Sequence, residues 1–180
     1  FLHNLAIGSL ILFGFHKDSN FVVDTVFVVG DYFDFDDNSL SFLQSRLSEK
    51  EYLAIEQQMP FLKKRKTYRC YLAATPQNPY YGMYSFVPCC LYNDCTGKEQ
   101  IPKMLKIDES CQEIKERWGD FKVDMDAEEP EMKMITGINT NLRQGKKKTV
   151  MSIADIKDVW NDIRQLTFDQ GLLEGTRFYL

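Results

Sequence analysis

Residues 6–31 read AIGSLILFGFHKDSNFVVDTVFVVGD. Two apolar runs, 9–15 (SLILFGF) and 21–29 (FVVDTVFVV), flank the polar segment 16–20 (HKDSN). Both runs are rich in Val, Ile, Leu and Phe, and Gly8, Gly14 and Gly30 punctuate them. β-Branched and aromatic residues in short runs, bounded by glycine and polar turn residues, predict two tightly joined strands that are apolar on both faces. Asp24 stands alone among Val22, Val26 and Val28. A carboxylate in a strand buried on both faces has to be paired or hydrogen-bonded. Asp24 is therefore expected either to hold a neighbouring loop or to anchor a ligand at the floor of a pocket. His16, at the turn, is expected to face water, with a catalytic role as the other reading.

The segment 31–39 (DYFDFDDNS) sets aspartates among aromatics. It lacks the glycine and the distant glutamate of a calcium loop, so a loop ending in a helix N-cap at Asp37, Asn38 or Ser39 is expected. Residues 40–47 predict a short helix. Ser48 and Glu51 have capping-box spacing for a second helix, 49–59, stopped by Pro60. A basic run follows at 62–66 (LKKRK) and leads into a strand at 67–74. Lys63, Lys64 and Arg65 read as a solvated strand entrance or as a phosphate-contacting patch.

Residues 73–94 (AATPQNPYYGMYSFVPCCLYND) open as a loop, turn at Gly82 and continue as a strand over 83–87. Tyr80, Tyr81 and Tyr84 in such a segment can stack on a base and orient it, or can fill core. Further strands are expected at 103–107 and 132–138, a helix at 110–118, and an acidic surface loop at 124–131. A loop at 139–149 carries a second basic run that includes Lys146 and Lys147. Ser152 and Asp155 again have capping-box spacing. Ile153, Ile156, Val159, Trp160, Ile163 and Leu166 recur at helical spacing as a core-facing stripe. Gly171 ends that helix, and 175–180 finishes as an edge strand.

A chain of 180 residues with 44% hydrophobic and 13% aromatic content fits one packed α+β domain over 1–180, without repeat or linker. No apolar run approaches the roughly 20 residues of a membrane helix, so no membrane partner is expected. The opening lacks the basic region and cleavage site of a signal peptide. The chain begins at Phe1 without an initiator Met, so a preceding N-terminal segment, and with it a larger assembly, is expected. The net charge of −4 argues against a general basic coat for nucleic acid, though not against a local patch. Five cysteines, an odd number with irregular spacing, read as reduced thiols in a cytoplasm. Cys89, Cys90 and Cys95 do not match the paired spacing of a zinc site, so neither metal nor cofactor is expected.

The run GSLILFGF…FVVDTVFVVGD, with the YYGMYSF segment, resembles small domains of the PUA-like superfamily, which includes the ASCH and EVE families. It is also similar to bacterial and phage domains described as nucleotide-modification-associated. The resemblance covers less than a third of the chain. It implies a small mixed, partly closed β-barrel with flanking helices and a pocket for a base or nucleotide. No phosphate-binding loop, dinucleotide fingerprint, zinc-protease motif or nucleophile elbow is present.

The leading expectation is a binding domain for nucleic acid or for a base or nucleotide, modified or not. Tyr80, Tyr81 and Tyr84 would stack; Asp24 and Ser85 would hydrogen-bond an exposed edge. Lys63, Lys64, Arg65, Lys146 and Lys147 would meet phosphates. In this reading the tyrosine segment folds over the hairpin and leaves a cleft. The alternatives are a small enzyme acting on a nucleotide-like substrate through Cys89 or Asp24 with His16, and a protein-interaction module.

Overall fold

The alternation of apolar residues over 10–35 produces a hairpin of unequal arms, β1 (Leu10–Lys17) and β2 (Asn20–Phe35). The computed structural model describes residues 5–17, 20–36, 40–58, 67–90, 103–107, 111, 131–136, 146–150 and 152–176; of 16, 17, 20, 40, 58, 131–136 and 146–150 it describes the backbone alone. The other elements are α1 (Leu40–Arg46), α2 (Glu49–Gln58), β3 (Tyr68–Ala73), β4 (Val87–Cys89), β5 (Leu105–Ile107), β6 (Glu131–Thr136), β7 (Lys146–Val150), α3 (Ile153–Asp169) and β8 (Leu173–Gly175). The chain is thus a mixed α+β structure. Its main sheet has the order β3-β2-β1-β6-β7, with β5 on the free edge of β2 and β1 parallel to β6. Among the described residues this sheet is open at β3 and β7 and does not close into a barrel. No described helix is long and apolar enough to cross a membrane.

Two bulges let one long strand keep a single core face. Leu12 pairs with Val26 and Phe13 with Thr25, but Gly14 pairs with Val23, so Asp24 is the extra residue. An inserted residue reverses the side-chain alternation beyond it. Phe21 and Val23 below the bulge, and Val26 and Val28 above it, therefore share one core with Leu10, Leu12, Leu105 and Ile107. A second shift falls at Gly30, where Val29 pairs with Ala73 and Asp31 with Leu72. Beyond it Phe33 and Phe35 turn inward against Leu43 and Tyr52 of α1 and α2. The backbone of β3 approaches closely here: a Cβ on Gly30 would lie 2.7 Å from the amide nitrogen of Ala74.

The second bulge corrects the reading of 31–39. The segment is not all loop, because β2 runs on to Phe35, with Phe33 and Phe35 buried and Asp31 and Asp34 exposed. A period of two was hidden by the aspartate count. The second basic run is likewise strand: Lys146 and Lys147 belong to β7, paired with Ile135 and Met134.

The apolar stripe of α3 packs on the core face through Ile156, Val159, Trp160 and Ile163. Ser152 caps the helix, its hydroxyl accepting from the Asp155 N–H at 3.2 Å. Gly171, at φ +71°, ends it. The box at α2 also forms: the Ser48 N–H donates to the Glu51 carboxylate at 2.8 Å. The helix expected at 110–118 lies outside the described residues apart from Cys111, as do the acidic loop over 124–130 and the end of the last strand at 177–180.

The cysteines differ from the expectation. Cys70, Cys89 and Cys111 form no disulfide, but Cys90 is disulfide-bonded. An odd count forces one free thiol without forbidding a bridge. Disulfides persist in oxidising surroundings, so the reduced-thiol ground for a cytoplasmic setting falls away.

Candidate functional site: an exposed tyrosine turn beside helix α3

Residues 74–86 are stitched to the open edge of β2 between β5 and β3. The Ala74 N–H donates to the Val28 carbonyl at 2.8 Å, and Phe86 and Val26 exchange both backbone bonds at 2.9 Å. Between them the Ser85 hydroxyl accepts from the Val28 N–H at 2.8 Å and donates to the Val28 carbonyl at 3.2 Å. Ser85 thus completes the ladder where no strand residue reaches, and it faces backbone, not a ligand.

Two tight turns shape the rest. Thr75 and Asn78 bridge across Pro76-Gln77, and Tyr80 and Met83 bridge across Tyr81-Gly82. In the second, Tyr81 has φ +50° and Gly82 φ +85°. Positive φ at both central residues is the type I′ turn, which suits the right-handed twist of a hairpin and favours Asn-Gly. Tyrosine is costly there, because Cβ crowds the following carbonyl. The residue is 64% exposed at the tip of the turn. It stands edge-to-face on Tyr80 at 4.9 Å. Tyr80 in turn lies on Gly8, whose φ of +90° and missing side chain admit the ring; a Cβ would sit 2.7 Å from Cδ1 of Tyr80.

The flank of α3 lines the other side of the turn. Lys157 Nζ lies 3.8 Å from where a Cβ on Gly82 would be. Two helical turns along, Arg164 lies over the ring of Trp160 at 4.7 Å and over that of Tyr84 at 5.6 Å. Its guanidinium donates to the carboxylate of Glu174 on β8, through Nε and, at 3.4 Å, through Nη2. The Tyr84 hydroxyl donates to the same carboxylate at 2.6 Å, and the Trp160 indole N–H donates to the Tyr84 carbonyl at 3.0 Å. Burial, then the Glu174 carboxylate, push the Tyr84 phenol up. The bond to Glu174 pushes the Arg164 guanidinium up against an opposing desolvation, so it stays charged. This network pins the β4–β8 ribbon to α3.

Of the three tyrosines proposed for stacking, only Tyr81 has an open face: Tyr80 supports it, and Tyr84 is held by Trp160, Arg164 and Glu174. Asp24 is not buried. It is the exposed bulge residue, accepting a bond from the Thr25 hydroxyl at 3.0 Å. A bulge turns its extra residue out of the alternation, which resolves the anomaly of a carboxylate in an apolar strand.

His16 and the tyrosine turn lie at opposite ends of the hairpin. His16 pairs with Phe21, whereas the tyrosine turn rests on Gly8, whose N–H bonds Val29. Eight residues of strand, about 26 Å, separate those levels. The space between hairpin and tyrosine segment is core, not a cleft: Met83 and Phe86 fill it at 0% and 1% exposure. The Cys89 thiol donates to the Leu173 carbonyl at 3.6 Å. Lys63, Lys64 and Arg65 lie outside the described residues, and Lys146 and Lys147 form part of the edge strand β7. Among the described residues no group of three or more His, Cys, Asp or Glu is placed to hold a metal ion.

Sequence reasoning missed Lys157, Arg164 and Glu174. For the two cations a signal was present in α3, where Lys157 and Arg164 recur seven residues apart and so share one stripe beside the apolar one. No family model, no curated protein and no solved structure matches the chain.

Proposed function

We propose that this chain is a binding domain for nucleic acid or nucleotide, contacting a base through the open face of Tyr81. One observation carries the reading: a tyrosine is kept exposed in a backbone conformation that disfavours it. Outliers of this kind cluster at binding sites, where the surrounding structure holds them in place. A packing role would have buried the ring, and a pure turn role would have favoured asparagine. Lys157 supplies a cation beside the turn, and Tyr80 braces the ring from below. The likeness to PUA-like domains is a finer form of the same proposal; support for it comes from the bulged β1–β2 hairpin and the aromatic segment along its edge.

Stacking on one ring is worth about 1–3 kcal/mol. With a single phosphate contact of about 1.5–3 kcal/mol added, the sum is about 2.5–6 kcal/mol, and the expected dissociation constant falls between about 0.04 and 15 mM. Titrating labelled single-stranded oligonucleotides and mononucleotides at low salt, followed by anisotropy or calorimetry, tests this. Saturable binding in that range is the expected result, and no affinity for any of them at low salt removes the proposal.

A further inference from the structure

A second exposed ring stands on the line that leaves the tyrosine turn along α3. At about 100° and 1.5 Å per residue, Asn161, Arg164 and Phe168 all lie within about 40° of Lys157 around the helix axis, and Phe168 is about 16 Å further along it. Phe168 is 47% exposed. Its ring pairs with no other aromatic ring among the described residues, and the Arg164 guanidinium lies 5.8 Å from its centre. Lys157, at the near end, makes no ion pair among the described residues. Three and four residues from it stand Ile153, Ala154, Trp160 and Asn161, none of them a carboxylate. The aspartates of α3 lie about 100–160° around the axis from Lys157. Glu174, the carboxylate that does reach this stripe, is held by Arg164 and the Tyr84 hydroxyl. The stripe thus runs from ring to cation to ring with no carboxylate left over to oppose a phosphate.

Resting on the reading that Tyr81 stacks a base, we propose that the ligand is a single-stranded nucleic acid laid along this stripe. One base stacks on Tyr81, a later one stacks on Phe168, and the backbone between them passes Lys157. At the ~3.4 Å rise of a stacked strand, the distance between the rings is about five steps. A hexanucleotide therefore reaches both rings, whereas a dinucleotide, with one step, reaches one. Two separate rings on an exposed helix flank suit a strand whose bases turn outward, and the paired bases of a duplex offer neither ring a free face. Lys157, Asn161 and Arg164 between the rings are side chains that meet sugar and phosphate, unlike the charge-poor core of a protein interface.

The test is calorimetric titration of the full chain with adenosine 5′-monophosphate and with oligodeoxyadenylates of two and six residues, at two salt concentrations. The hexanucleotide is expected to bind about five- to 150-fold tighter than the dinucleotide, the gain from one further stacked base. Phe168→Leu, which keeps an apolar side chain and removes the flat ring, abolishes that gain, and Phe168→Tyr retains it. The log–log salt slope for the hexanucleotide is about −0.7, one phosphate's worth, and Lys157→Gln flattens it. Equal hexanucleotide affinity in the unaltered chain and Phe168→Leu, or a salt slope that Lys157→Gln leaves in place, overturns this inference while Tyr81 stacking stands. Failure of all three ligands to bind overturns both.

Discussion

Replacing Tyr81 by Asn lowers affinity for a stacking ligand about five- to 150-fold, the equivalent of 1–3 kcal/mol for one base. The fold is expected to be no less stable for it. Tyrosine at φ +50° carries a penalty of about 1–2 kcal/mol, most of which asparagine relieves because it tolerates the left-handed region. Against that gain stands the edge-to-face contact with Tyr80, about 0.5–1 kcal/mol for so exposed a pair. The balance is close to zero or slightly favourable. A thermal melt and a binding titration on the same variant therefore move independently. Tyr81→Phe keeps the ring and the strain, and retains the affinity. A parallel loss of melting temperature and binding in Tyr81→Asn would mean that the ring serves packing.

The largest effect on stability belongs to Gly14→Ala. Gly14 faces Val23 across the first bulge, and a Cβ there would drive into the Val22 carbonyl oxygen and sit 2.9 Å from Cζ of Phe21. Neither the paired backbone nor a ring buried in the core can move aside cheaply. Overpacking at such a site costs about 3 kcal/mol. For a chain of this size that lowers the melting temperature by about 10 °C. Gly171→Ala provides the contrast. It meets no atom within 4 Å and bears only the strain of its φ of +71°, about 1 kcal/mol. Equal melting temperatures for the two variants would show that the bulge does not constrain the hairpin as described.

The elements legible in the sequence were those set by local chemistry. The apolar runs gave the hairpin, the two serine boxes gave the starts of α2 and α3, and Gly171 gave the stop. What stayed hidden was non-local. Nothing near Asp24 or Gly30 in sequence says that a partner strand will skip a residue there, yet those two skips decide which side chains enter the core. The same limit governed the site. Tyr81-Gly82 was readable as a turn, but not as one with both φ positive, because that follows from the bridge between Tyr80 and Met83. Ser85 looked like a ligand group because its task, completing the edge of β2 at Val28, exists only once Ala74 and Phe86 flank it. Glu174 and Arg164 meet through the pairing of β4 with β8, which no spacing announces.

The most direct measurement is an NMR titration of the chain carrying ¹³C-labelled tyrosine rings, with adenosine 5′-monophosphate as ligand. Nine ring signals are available. Stacking on the turn moves Tyr81 most, through the ring current of the base, moves Tyr80 less, and leaves Tyr32, Tyr71 and Tyr84 in place. A Tyr81 signal unmoved at millimolar ligand, or a larger shift at Tyr32 or Tyr71 on the far part of β2 and β3, would contradict the assignment of the site.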